Sequence, residues 1–131
     1  MITNINTYRI GRILLASLFV VSGIFKILGF SGTVGYFTSL GLPVPTVAVI
    51  VTILVEVGGG LLLMFGRGVK PVSLVIALFT VGATLAAHHF WTLEGAAAQM
   101  QLTQFLKNLS LIGALLLVSS IDPEGQPERP H

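Results

Sequence analysis

The sequence predicts an all-α fold, a bundle of four transmembrane helices joined by short loops. Of its 131 residues, 53% are hydrophobic and only 9% are charged, and the mean hydropathy is +0.92. Such a chain has too little polar surface to cover a water-soluble globule. Four segments also reach the length of about 20 apolar residues that a helix needs to span a bilayer. We therefore assign residues 1–121 to one transmembrane domain and residues 122–131 to a polar, disordered cytoplasmic tail.

Breaker residues bound the four segments, which run over about residues 8–28, 46–65, 71–91 and 103–121. The first apolar run is longer than a signal-peptide core and no A-x-A site follows it, so we interpret it as a membrane helix. The connections are GFSGTVGYFTSLGLPVP, the tight turn GRGVKP, and TLEGAAAQMQL. In the first connection, the spacing of Val34, Tyr36, Phe37 and Leu40 predicts a short interfacial helix, with a plain loop as the alternative.

The composition excludes several classes of function. The chain contains no cysteine, which rules out thiolate nucleophiles, iron–sulfur clusters and Cys-based zinc sites. Seven basic and five acidic residues are too few and too scattered to bind nucleic acid. His88 and His89 are adjacent and point about 100° apart on a helix, while His131 lies in the tail, so we predict no metal site.

The basic residues predict the orientation of the bundle. Five of the seven lie near the ends of the predicted spans or in the tail, and four spans place them on one side of the membrane: Arg9, Arg12, Arg67, Lys70 and Arg129. The opposite loops contain no Lys or Arg and one charged residue, Glu94. Because cytoplasmic loops are enriched in Lys and Arg, both termini are expected in the cytoplasm of a bacterial inner membrane. We expect Arg12 to anchor to the cytoplasmic head groups and Trp91 to anchor the far interface.

Each predicted helix carries a polar residue deep in the apolar layer. With a rise of about 1.5 Å per residue, Glu56 lies about 16 Å from the cytoplasmic end, Lys26 and Lys107 about 21 to 23 Å, and His88 about 25 Å. Helical spacing places several residues on one face of each of the first three predicted helices. The faces are Arg12, Ala16, Phe19, Gly23 and Lys26 on the first helix, Thr52, Glu56, Gly59, Gly60 and Leu63 on the second, and Ala77, Val81, Thr84, His88 and Trp91 on the third. We expect these faces to enclose a common polar interior.

Glu56 requires a partner in this interior, because a short carboxylate near the midplane costs a few kcal/mol unless it is paired or protonated. We predict an ion pair with Lys26, since a lysine stem of about 6 Å can span the estimated difference in depth of about 5 to 8 Å. A neutral Glu56 bonded to Thr52 or to another helix is the alternative.

The other polar residues have two interpretations each. Lys26 and Lys107 either turn inward or extend to the outer head groups. His88 is either an interfacial hydrogen-bonding residue or a proton-transfer group. Asn108 is typical of a helix–helix contact. In the inward interpretation, His88, Lys107 and Asn108 lie close to the Lys26–Glu56 pair.

Several segments together resemble the DoxX family. They are the Arg in the first helix, SGIFKILGF, GLPVP, EVGGGLLLMFGR, HHFW and FLKNLSLIGALLL, which span about Arg9 to Ser120. The resemblance implies four membrane helices and places the family's recurrent polar positions on Arg12, Lys26, Glu56, His88 and Asn108. Some members are membrane subunits of thiosulfate:quinone oxidoreductases, and others associate with enzymes of oxidative-stress and thiol defence.

Three functions follow from the residues and the resemblance. The first is a membrane component of a redox system that binds a quinone-like or other amphiphilic ligand through Lys26, Glu56, His88, Lys107 and Asn108, with Glu56 or His88 as the proton-transfer group. Two lysines against one carboxylate favour an anionic head group. The second is a transporter or permeability pathway for small solutes. The third is a scaffold that recruits a soluble oxidoreductase. Membrane lipid and further copies of the chain are the other expected partners.

Overall fold

The computed structural model describes residues 4–121 and residue 123, and every regular element in that part of the chain is helical. The helices are α1 (Ile5–Leu28), α2 (Phe30–Ser39), α3 (Pro45–Phe65), α4 (Val69–Ala87) and α5 (Gly95–Ile121), with a short 3₁₀ turn at Phe90–Thr92. Four helices in the described residues are long and apolar enough to cross a membrane. They are α1, α3, α4 together with the 3₁₀ turn, and α5. The predicted four-span, all-α fold is confirmed. Apart from residue 123, the predicted tail lies outside the described residues.

Two glycines allow α1 and α3 to pack closely. A Cβ atom built on Gly23 would lie 2.5 Å from Val57 Cγ2, and one built on Gly60 would lie 2.8 Å from Val20 Cγ2. No larger residue fits at either position without moving the neighbouring helix. As in many membrane bundles, small residues therefore set the distance between the two backbones.

α3 and α4 form a tight hairpin through GRGVKP. Gly66, with a φ of 76°, ends α3, and the Arg67 N–H donates to the Leu62 carbonyl at 2.8 Å. These are the features of a Schellman motif, which requires a left-handed residue and therefore favours glycine. Gly68, with a φ of 59°, then precedes the first turn of α4. The hairpin fixes α4 antiparallel to α3.

Arg12, the predicted head-group anchor, is buried at this end of the bundle. Only 4% of the residue is exposed. Its Nη2 donates to the Met64 carbonyl at 3.5 Å, and its guanidinium carbon lies 5.5 Å from the centre of the Tyr8 ring. Met64 is in the last turn of α3, where carbonyl oxygens lack helical partners and attract cations. Arg12 therefore has partners within the bundle, and its anchoring to head groups stays a prediction.

The bounds of the last two spans also differ from the prediction. α4 ends at Ala87, and His88 already has non-helical torsions of −121° and 45°. Trp91 therefore does not continue the predicted α4 face, and Val81 on that face is 39% exposed. The buried face of α4 instead consists of Val69, Ser73, Ile76, Ala77, Thr80 and Thr84. α5 begins at Gly95, eight residues before the predicted start, because AAAQMQL consists largely of strong helix formers.

The helices are packed tightly at one end and diverge at the other. The buried apolar core comprises Ala16, Phe19, Leu63, Val69, Ile76, Ala77 and Leu115, contributed by all four spans. The first half of α3, Pro45–Ile53, packs against α1 and α2 but makes no backbone contact with α4. A space therefore remains between the diverging halves, and α2 lies beside it. The helical alternative predicted for the first connection is the one adopted.

Candidate functional site

A cavity of about 580 Å³ occupies the space between the diverging helices. Side chains from α1 to α5 line it, and most of them are apolar. Its polar and ionisable lining residues are Ser22, Lys26, Tyr36, Thr52, Glu56, Thr80, His88, Lys107 and Asn108. All five residues predicted to bind a ligand are in this list, so the structure brings them to one cavity. Its volume lies within the range of about 300–1,000 Å³ that is typical of small-molecule sites.

Glu56 is carried by a π-helical segment of α3, Leu54–Gly59. Short π segments inside α-helices contain an extra residue and frequently occur at functional sites. This segment packs on Gly23 of α1, where an added Cβ would lie 3.1 Å from the Glu56 Cβ. Lys26 is about one turn beyond Gly23 on the same helix. The close backbone approach therefore brings the ammonium group within reach of the carboxylate.

Lys26 and Glu56 form the predicted ion pair. Lys26 Nζ donates to Glu56 Oε1 and Oε2, each at 3.1 Å. The exposed fraction is 26% for the Lys26 side chain and 10% for that of Glu56. The alternative in which Lys26 extends to the head groups is therefore wrong. The Thr52 hydroxyl, an alternative partner for Glu56, donates to the Ala48 carbonyl at 2.8 Å.

Asn108 joins α5 to α4 at the cavity wall. Its Nδ2 donates to Thr84 Oγ1 at 2.9 Å, while Thr84 Oγ1 donates to the Thr80 carbonyl at 2.6 Å. Because the single hydroxyl proton of Thr84 is used on that carbonyl, its oxygen can only accept from Asn108. This requirement fixes the orientation of the amide, and Asn108 Oδ1 remains an acceptor without a donor among the described residues. The predicted helix–helix contact is confirmed.

His88 terminates α4 and is held by a residue that the sequence analysis missed. Its Nδ1 lies 2.7 Å from Gln101 Oε1. With the amide oxygen facing the ring, Nδ1 donates to Gln101 Oε1, and Nε2 is then an acceptor when the ring is neutral. Gln101 was assigned to a connection, although it lies seven residues before Asn108. That spacing corresponds to the same face of a helix and could have identified it.

Lys107 is the second cation of the cavity. It lines the space, its side chain is exposed, and no carboxylate pairs with it among residues 4–121 and 123. Its neighbour Asn108 faces α4, so Lys107 lies at the edge of the α4–α5 contact. The inward and head-group interpretations of Lys107 both stay predictions.

Trp91 lies outside the cavity lining. It is 56% exposed, and its ring centre lies 5.4 Å from that of Phe90 and 6.1 Å from that of Phe105. These edge contacts form an aromatic cluster between the 3₁₀ turn and α5. Aromatic residues of this kind are enriched at membrane interfaces, so the predicted anchoring role of Trp91 stays a prediction.

The charges and polar groups of the cavity wall determine which kind of molecule the cavity can bind. The Lys26–Glu56 pair is neutral as a unit, so Lys107 leaves the cavity with one uncompensated positive charge when His88 is neutral. His88 Nε2 and Glu56 are groups that exchange protons in many sites. Apart from the hydroxyl groups of Ser22, Tyr36, Thr52 and Thr80, the remaining wall is apolar and suits a hydrocarbon tail or an aromatic ring. A molecule with an apolar body and a polar head matches this lining.

Comparison with known proteins is consistent with these features. The chain is 35% identical over 114 residues to the inner membrane protein YphA of Escherichia coli (strain K12), a match that covers 87% of this chain and 81% of YphA. It is 37% identical over 114 residues to the inner membrane protein YqjF of the same organism, covering 87% of this chain and 82% of YqjF. A Bacillus subtilis (strain 168) protein named "Putative oxidoreductase CatD" is 36% identical over 74 residues, covering 56% of this chain and 54% of CatD.

No solved structure matches the chain. The family model described as DoxX matches residues 8–89, which include all but the first three residues of α1, the whole of α2 to α4, and the Lys26–Glu56 pair. Together with the extent of the two Escherichia coli matches, this match identifies the chain as a membrane protein that belongs to the DoxX family.

Proposed function

We propose that the protein is a membrane component of a redox system and binds a quinone-like or other amphiphilic ligand in the cavity. The observation that carries the proposal is the composition of the cavity wall. A mostly apolar space of about 580 Å³ contains a partly buried ion pair, a second lysine, a histidine and an asparagine. Ionisable residues within membrane helices are costly and usually mark a functional site. The name of the Bacillus subtilis relative supports the redox assignment.

In this proposal the apolar walls hold the ligand's body and the polar residues hold its head. Lys26, Lys107 and Asn108 would bind oxygen atoms of the head group, because amines and amides hydrogen-bond to carbonyl and hydroxyl oxygens. Glu56 or His88 would transfer a proton, since both lie at the cavity wall. An electron-transferring partner, which we propose to be a soluble oxidoreductase, would supply or remove electrons. Association between copies of the chain is also proposed.

Retention of a ligand tests the proposal. The protein would be purified in an uncharged detergent, extracted with organic solvent, and the extract examined by mass spectrometry for quinones and other amphiphiles. We expect one amphiphile at near-stoichiometric amount in the wild type, much less in Lys26→Met, and an unchanged amount in Lys70→Met. Lys70 is an exposed control at the start of α4. If no amphiphile is retained and decylubiquinone does not bind in titration, the proposal is wrong.

A transporter is the second candidate, and the buried Lys26–Glu56 pair is the observation that favours it. Proteoliposomes distinguish it from the redox component. Flux of protons or small ions that disappears in Glu56→Gln and persists in Glu94→Gln would favour a transporter. Co-purification of a soluble oxidoreductase that is unaffected by Lys26→Met and Glu56→Gln would instead favour a scaffold.

We also propose that the chain lies in the inner membrane with both termini in the cytoplasm. The positions of Arg9, Arg67 and Lys70 support this orientation through the positive-inside rule. Cysteine substitutions provide the test, because the chain contains no cysteine of its own. A membrane-impermeant thiol reagent applied to whole spheroplasts should label Glu94→Cys and should not label Arg67→Cys. The reverse pattern would contradict the orientation.

A further inference from the structure

We infer that the ligand of this cavity is an anionic amphiphile whose head group also carries a hydroxyl donor. This inference rests on the proposed function and specifies its ligand class. The charge of the cavity wall is the first argument. Its charged residues are Lys26, Glu56 and Lys107, and Glu56 already accepts two hydrogen bonds from Lys26. Lys107 is left as a cation without a carboxylate partner among the described residues.

The second argument concerns the hydrogen bonds that the wall still offers. Nδ2 of Asn108 is committed to Thr84, and Nδ1 of His88 is committed to Gln101. Donors remain on the wall, namely the second N–H of Asn108 Nδ2 and the hydroxyls of Ser22 and Tyr36. Two acceptors, Asn108 Oδ1 and Nε2 of a neutral His88, receive no hydrogen bond within the described residues. A head group that carries only acceptors, such as a fully oxidised quinone ring, would leave both of these acceptors without a donor. A head group with one anionic oxygen and one hydroxyl satisfies both Lys107 and an acceptor.

Two classes of amphiphile meet these requirements. One is a hydroxy acid with an apolar chain, and the other is a hydroquinone that has lost one of its two protons. Both present an anionic oxygen and an O–H donor at one end of an apolar body. They differ in redox activity and share the recognition chemistry, so a redox-inert acid can probe the site.

Three matched probes with the same ten-carbon chain test the inference. They are decan-1-ol, decanoate and 2-hydroxydecanoate, titrated at pH 8 into the protein in an uncharged detergent. Binding is followed by the fluorescence of the single tryptophan and by calorimetry. We expect decanoate to bind about tenfold more tightly than decan-1-ol, because its carboxylate can form a charge-assisted hydrogen bond with Lys107. We expect 2-hydroxydecanoate to bind about threefold more tightly than decanoate, because its hydroxyl adds one neutral hydrogen bond.

Lys107→Gln and its control Lys70→Gln identify the residue responsible. The Lys107 side chain is exposed and makes no hydrogen bond within the described residues, so its replacement should leave the fold intact. We expect the preference for decanoate over decan-1-ol to fall to about twofold or less in Lys107→Gln and to persist in Lys70→Gln.

Each outcome has a distinct meaning. Equal binding of decan-1-ol and decanoate, or a preference that persists in Lys107→Gln, overturns the anionic class and leaves amphiphile binding intact. Equal binding of the two acids overturns the hydroxyl donor. Failure of all three probes to bind overturns this inference and, when no co-purifying amphiphile is found either, the proposed function with it.

Discussion

Removing the charges of Lys26 and Glu56, one at a time and then together, should reveal strong energetic coupling between α1 and α3. At a distance of 3.1 Å and an effective dielectric constant of about 20, the attraction is about 5 kcal/mol. The Lys26 side chain is 26% exposed, so part of this attraction is screened and part offsets desolvation. We therefore expect Lys26→Met and Glu56→Gln each to lower the free energy of unfolding by about 2 to 3 kcal/mol, because each leaves the other group unpaired.

The double substitution should restore much of this loss. With both charges removed, no unpaired ion remains, and we expect a total loss of about 1 to 2 kcal/mol. The coupling energy of the cycle is then about 3 kcal/mol. Unfolding would be measured in mixed detergent micelles by the fluorescence of the single tryptophan. Lys70→Met with Glu94→Gln serves as a control cycle, since both residues are exposed. A coupling below about 0.5 kcal/mol at Lys26 and Glu56 would refute the stabilising role of the ion pair.

Two further substitutions test the packing around the cavity. Gly23→Ala should lower the free energy of unfolding by about 1 to 3 kcal/mol, because the new Cβ lies 2.5 Å from Val57 Cγ2. Gly113→Ala is the control and should be neutral or stabilising in the same unfolding assay, since its new Cβ has no atom within 4 Å. Equal effects of the two substitutions would contradict the close approach of α1 and α3. Thr84→Val removes the acceptor of Asn108, so it should lower the thermal midpoint and reduce the free energy of unfolding by about 1 to 2 kcal/mol. Thr103→Val is the control and should have a smaller effect, because it loses only a bond to the Gln99 carbonyl. An equal loss in both variants would argue against the Asn108 bond.

The sequence was most informative where a single physical constraint dominated. The length of the four apolar segments predicted the four spans. The free-energy cost of an unpaired carboxylate in the membrane predicted that Lys26 binds Glu56. The faces of α1 and α3 were also correct, since Arg12, Ala16 and Phe19 are buried on α1 and Thr52 and Glu56 on α3. In these cases helical periodicity and the absence of water lead to the same result.

The sequence was less informative where the outcome depends on contacts in three dimensions. The contact of Arg12 with the Met64 carbonyl depends on where α3 ends in space. The end of α4 at Ala87 depends on a local change of torsion at His88, which apolar content does not reveal. The π segment around Glu56 depends on packing against Gly23 and has no simple sequence signature. Gln101 was missed because its stretch was read as a connection and not as helix.

The divergence of α3 from α4 predicts how a ligand of the proposed site would reach it. Pro45–Ile53 makes no backbone contact with α4, and side chains of both helices line the cavity. We therefore expect an amphiphile dissolved in the bilayer to enter sideways between them without passing through water. Its encounter rate then depends on lateral diffusion in two dimensions, and its occupancy depends on its mole fraction among the lipids. Affinity at this site is therefore a partition between two membrane environments. A dissociation constant expressed per litre of buffer would change with the amount of lipid added, while the site itself stayed the same.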